Sequence, residues 1–131
     1  MAFLIHSVDD GHVPAWEYLP CAAITPKVGM ALALSAGLLT TASGTTAPRY
    51  ICMAERDAAC AAGDRIPVVR AGADIVFETA SSAAMSSIKP GDKVTIASDG
   101  LRVTATTTGG VAEVVEILDA AAGGAVRVRF A

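Results

Sequence analysis

The sequence predicts a mainly β protein, a small barrel or sandwich of short antiparallel strands, with at most one short helix and an extended N-terminal arm. Three observations predict it. Short runs rich in β-branched residues recur from residue 21 onward, and such residues fit a pleated surface. Turn residues, most often glycine, separate these runs at regular intervals, as they do in all-β folds. Charged residues make up only 18% of the chain and aromatics 5%. The 53% apolar fraction is therefore mostly small side chains, and the core they build is thin. A thin core favours help from a second copy or a partner surface. The length of 131 residues suits one domain.

Residues 1–20 differ from the rest. They hold both histidines, the only Trp, one of the two Tyr and two of the six prolines, with no sustained period. They read as an extended arm, with Trp16, Tyr18 and Leu19 as the side chains able to tie it down; residues 21–131 form the β domain. The start, MAFLIHSVDD, has no basic residue before its apolar run and turns acidic at Asp9 and Asp10. It is not expected to act as a secretory signal.

After the arm come CAAIT and MALAL. Met30, Leu32 and Leu34 alternate with Ala31 and Ala33, the period of two of a half-buried strand. Ser35-Ala36-Gly37 supplies a turn and LLTTA returns. The runs RYICMA, RIPVV, DIVFET, KVTIA, LRVTATT, VAEVVEIL and AVRVRF follow. One helix is expected over Ala54–Asp64, where alanines fall at helical spacing and Gly63 stands as a C-terminal stop. Leu118–Gly124 reads as one helical turn or a loop.

The stretch from Val28 to Pro48 contains no charged residue and has about the 20 residues of a membrane-spanning helix. A later segment argues otherwise. Gly29 and Gly91 each follow a nearby proline, Pro26 and Pro90. Each is followed by apolar residues at the third and fifth positions, Leu32 and Leu34 or Val94 and Ile96, and then by a Gly-Leu step. The later copy carries Asp92, Lys93, Asp99 and Arg102, and its Ser98-Asp99-Gly100 is a hairpin signal. By analogy the earlier copy is also a hairpin. Its Ala, Ser and Thr positions make either a bland surface or a flat face for another protein, since few ionic groups there would need desolvating.

Several functions are not expected. The net charge is −3 and the ten basic residues are scattered singly; nucleic-acid binding and polybasic membrane binding both need concentrated positive charge. Three cysteines, Cys21, Cys52 and Cys60, are an odd set without a C-x-x-C pair, and read as buried, reduced side chains. His6 and His12 with Asp9 and Asp10 are the only cluster with metal-ligand spacing. They lie in an arm without a rigid scaffold, so no metal and no other cofactor is expected. There is no G-x-S-x-G and no phosphate-cradling loop of the Walker type, and the carboxylates fall at turns or strand faces. The chain is not expected to be an enzyme or to take a small-molecule substrate. IKPGDKV resembles the Gly-Asp hairpins of biotinyl and lipoyl carrier domains, but Lys89 and Lys93 lack the flanking residues of a modified lysine.

From Cys21 to Phe130 the chain resembles the small head-decoration, or capsid cement, proteins of tailed bacteriophages. The resemblance lies in GMALALSAGLLTTA, in PRYICMAERDAACAAGDRIPVVRAGADIVFET, in IKPGDKVTIASDGLRVTATTTGGVAEVVEI and in the terminal GGAVRVRF. It is one of strand-and-turn texture, without a catalytic signature. It implies a β-barrel or β-tulip domain that sits as a homotrimer on the capsid exterior, bound to the major capsid protein. It also implies a protein made in the bacterial host cytoplasm and carried on the virion. An arm reaching onto the shell is common in that group, and here Trp16, Tyr18, Leu19 and Pro20 are the expected partner-binding residues. A tail, baseplate or fibre component of similar fold is the alternative, with a small enzyme or carrier domain behind it.

Overall fold

In the computed structural model, residues 2–130 are described, without the side chain of Asp10. Ten strands form, and the one helical piece among the described residues is a 3-10 turn at Asp9–Gly11. The strands are β1 (Leu4–Val8), β2 (Glu17–Pro20), β3 (Ala31–Ser35), β4 (Leu38–Thr41), β5 (Tyr50–Cys52), β6 (Arg65–Arg70), β7 (Ile75–Ala80), β8 (Lys93–Val94), β9 (Ala112–Ile117) and β10 (Ala125–Phe130). They make two antiparallel sheets of five. The first has the order β1-β7-β10-β9-β8 and the second β2-β6-β5-β3-β4. The fold is mainly β, as expected, and neither sheet closes into a barrel. The edges of the second sheet do approach, through one parallel bridge between Cys21 and Leu39.

The alternation of side chains explains the layering. Along β3, Ala31 faces a core shared with the first sheet, while Leu32 faces a second core on the other side. In β5, Ile51 joins the first core and Tyr50 and Cys52 the second; in β6, Val69 joins the first and Ile66 and Val68 the second. The second sheet is thus covered on both faces. The first core is closed by Phe3, Phe77 and Phe130, with Phe3 and Phe130 rings 5.2 Å apart edge to face and Phe77 and Phe130 5.6 Å apart. Each such burial contributes about 1.5–3 kcal/mol, so these aromatic side chains carry a large share of a core otherwise made of Ala, Val, Ile and one Met.

The uncharged stretch is a hairpin. Ser35 pairs with Leu38 across a two-residue loop, in which Ala36 (φ 51) and Gly37 (φ 80) both take positive φ. That is the loop type whose twist matches the flanking strands. No helix among the described residues is long and apolar enough to cross a membrane. The later copy turns back as well, with Ala97 N–H on Arg102 O (2.8 Å) and Leu101 N–H on the Asp99 carboxylate (2.9 Å). The two copies touch each other through the Gly44–Ile96 bridge.

The helix expected over Ala54–Asp64 does not form. Its donors go to other partners: Arg56 N–H to Pro26 O (3.0 Å), Cys60 N–H to Ile24 O (2.8 Å), Ala61 N–H to the Asp64 carboxylate (3.1 Å) and Gly63 N–H to Cys21 O (2.8 Å). An isolated helix this short is marginal in water. Tertiary contacts instead lay the segment over the second core, into which it sends Cys60. Leu118–Gly124 is a loop, with no helix.

Candidate functional site

Residues 2–20, interrupted by the 3-10 turn at Asp9–Gly11, contribute one edge strand to each sheet. β1 pairs with β7 with an irregularity between Ile5 and Ser7, and β2 pairs with β6. The link between them crosses from the first sheet to the second beside residues 71–74, which cross back. Phe3 holds the start of this segment down. It is wholly buried, and its N–H donates to Gly29 O (2.9 Å). Gly29 has φ +82, and a Cβ there would lie 2.5 Å from the Ala2 Cβ; only glycine allows this approach.

Between the two crossings lies a cleft of about 470 Å³ lined by His12, Pro14, Ala15, Glu17, Arg70 and Asp74, among others. Its charges are paired with one another. Arg70 grips Glu17 with two nitrogens, at 2.8 and 3.4 Å, and His12 Nε2 lies 3.3 Å from Asp74 Oδ2. The Arg70 hydrogen bond holds the Glu17 carboxyl below its ordinary range, and Glu17 in turn raises Arg70. A smaller cleft of about 300 Å³ shares Arg70 and Gly72 and adds Arg49 and Tyr50.

The chemistry of this end is one of surface. Among the described residues, the exposed large apolar side chains are Leu4, Ile5, Val13, Trp16, Tyr18, Val28 and Leu118; most of them fall within residues 4–18. Trp16 is 56% and Tyr18 59% exposed, so neither caps the protein's own core. Leu19 behaves differently, packing against the second core. Pro20, half-buried, pairs with Arg65 on an edge strand, where a residue without an N–H is tolerated. The structure therefore separates the four expected residues: two reach solvent and two are built into the sheet margin. Leu4, Ile5 and Val13 were missed. The apolar Phe3-Leu4-Ile5 run was the signal for the first two: Phe3, just before β1, is buried, and Leu4 and Ile5 are exposed.

The other candidates are spread apart. His6 is exposed on β1, whereas His12 sits against Asp74. The Asp10 side chain lies outside the described residues. No three His, Cys, Asp or Glu among the described residues are grouped to hold a metal ion. Lys89 and Lys93 are exposed; the Lys89 N–H is held by the Asp92 carboxylate at 2.9 Å, and Lys93 pairs with Glu113 in the sheet. All three cysteines are buried and free. No protein-family model matches the sequence, and no curated protein matches it significantly.

Proposed function

We propose that this chain is a non-enzymatic structural protein of a phage virion that binds the outside of the capsid shell and reinforces it. In this reading it acts as a homotrimer on the major capsid protein, with no nucleic acid, membrane or small-molecule ligand as partner. One observation carries the proposal: most of the exposed large apolar side chains among the described residues fall in residues 4–18, Trp16 and Tyr18 among them. Trp and Tyr are the side chains that most often anchor protein interfaces. The mutual pairing of charges in the neighbouring cleft favours a docking surface over a reaction centre. Each contact is small, and attachment at several points around a trimer multiplies weak contacts through effective concentration.

The test is to mix purified protein with undecorated heads and to measure co-sedimentation and heat resistance of the shells. Trp16→Ala and Tyr18→Ala are each expected to weaken attachment by roughly 30-fold or more, the cost of an interface anchor, without changing the melting of the free protein. Full occupancy with no gain in shell melting temperature would remove the reinforcing role. Failure to sediment with any head would remove the proposal.

A further inference from the structure

Two of the three cysteines come from segments laced to each other behind the second sheet. Cys21 N–H donates to Asp64 O and Cys21 O accepts from Gly63 N–H, both at 2.8 Å, while Cys60 N–H donates to Ile24 O at 2.8 Å. These bonds run residues 21–24 against 60–64. Both side chains enter the second core, where Cys60 acts on the Cys21 thiol. Arg56 Nη1 lies 3.4 Å from Cys60 Sγ. The Cys21 thiol is the reluctant partner, pushed up to about 11 by burial and then by Cys60. Cys52 is engaged elsewhere, its sulfur contacting Ala54 O at 3.4 Å and Ala54 N–H at 3.3 Å. Residues 55–59 and 61–63 are exposed, so one short loop separates Cys60 from solvent.

We propose that Cys21 and Cys60 form an oxidisable dithiol, which a small-molecule disulfide converts to a disulfide that staples the 53–64 segment to the end of β2. Cys60 gives its proton to water, and its thiolate attacks one sulfur of the oxidant. The oxidant's S–S bond breaks, one thiolate leaves, and a mixed disulfide remains on Cys60. Cys21 then loses its proton and attacks the Cys60 sulfur, and the second oxidant thiol departs. Two cysteine thiols lose two electrons and two protons, and one external disulfide becomes two thiols. In the setting of the proposed function, which this timing rests on, the chain stays reduced in the host cytoplasm and the staple closes after release into an oxidising medium.

The experiment incubates reduced, purified protein with oxidised glutathione, then maps non-reduced peptides by mass spectrometry and melts both forms. The expected result is a Cys21–Cys60 cross-link with loss of two hydrogens. The bond closes a loop of about 40 residues, so the melting temperature should rise by roughly 5–15 °C and fall back on adding reductant. Cys52→Ser keeps this behaviour and Cys60→Ser loses it. Thiols that stay free or carry only glutathione, a bond to Cys52, or a bond that lowers the melting temperature would each overturn the inference. Head binding is scored separately on both forms. A cross-linked chain that ignores heads sinks the virion role and leaves the dithiol standing; a head-binding chain without the cross-link does the reverse.

Discussion

The two sheets have the same number of strands and the same antiparallel pairing but opposite chemistry. The first keeps one face in water and covers it with charge: Arg127 pairs with Glu78 at 3.0 Å and also with Glu116, and Arg129 reaches Ala73 O at 3.0 Å. In the second, β3, β4 and β5 carry no charged residue, and the ion pairs lie at the margins, Glu17 with Arg70 and Arg56 with Asp64. The difference follows from layering. A charged side chain costs several kcal/mol to bury unless it is well paired, so a sheet covered on both faces has no place to put one. This accounts for the absence of charge from the strands of the stretch from Val28 to Pro48, which belong to the doubly covered sheet.

The strongest way to break this comparison is to place charge in each sheet. Leu32→Asp buries a carboxylate in the second core and should cost at least about 4 kcal/mol, enough to unfold a marginal domain. Glu116→Gln on the wet face should stay within about 0.5 kcal/mol. Equilibrium urea unfolding of both variants reads the contrast; similar losses would show that the second sheet is not sealed.

Phe3→Ala tests what holds the N-terminal segment to the first sheet. The loss should be about 3–5 kcal/mol, as for other phenylalanines removed from cores. Hydrogen exchange should show protection disappearing first from Leu4–Val8. Retained protection there would mean that pairing with β7 suffices without the aromatic contact.

A gain is expected at the hairpin of the second sheet. Ala36 holds φ 51, which an L-residue with a Cβ adopts at a cost and asparagine tolerates better. Ala36→Asn should raise stability by about 0.5–1 kcal/mol in thermal melts, and a loss would contradict the observed turn.

The smallest effect concerns the margin of the second sheet. Glu17 is held below its ordinary pKa by Arg70. A depressed carboxyl contributes stability that is present above its unfolded value, about 4.3, and is lost as pH falls through the lower folded value. The melting temperature of Glu17→Gln should therefore lie slightly below that of the parent at neutral pH and converge with it in acid. A difference independent of pH would assign Glu17 a packing role only.

Much of the fold was legible because strand alternation and turn chemistry are local. Leu32 and Leu34 against Ala31 and Ala33, the Ser35-Ala36-Gly37 turn and the Ser98-Asp99-Gly100 turn all appear where their neighbours in the chain placed them. The Ala54–Asp64 segment was misread because its alanines favour a helix in isolation, while the carbonyls of Cys21, Ile24 and Pro26 compete for its N–H groups from far away in sequence. At the candidate site, the aromatic content of residues 1–20 pointed to Trp16 and Tyr18. Nothing local separates them from Leu19, whose direction is set by which side of β2 meets the second core.

The chain's own order of residues determined its class, its strands, its tight turns and the absence of charge from one long segment, because each depends on side chains a few positions apart. Only the tertiary structure decided which sheet would be covered twice, that Phe3 would dock under Gly29, and that the segments carrying Cys21 and Cys60 would be laced together behind the second sheet. Those outcomes depend on groups distant in sequence competing for the same hydrogen bonds and the same buried volume, and that competition is resolved only when the whole core assembles.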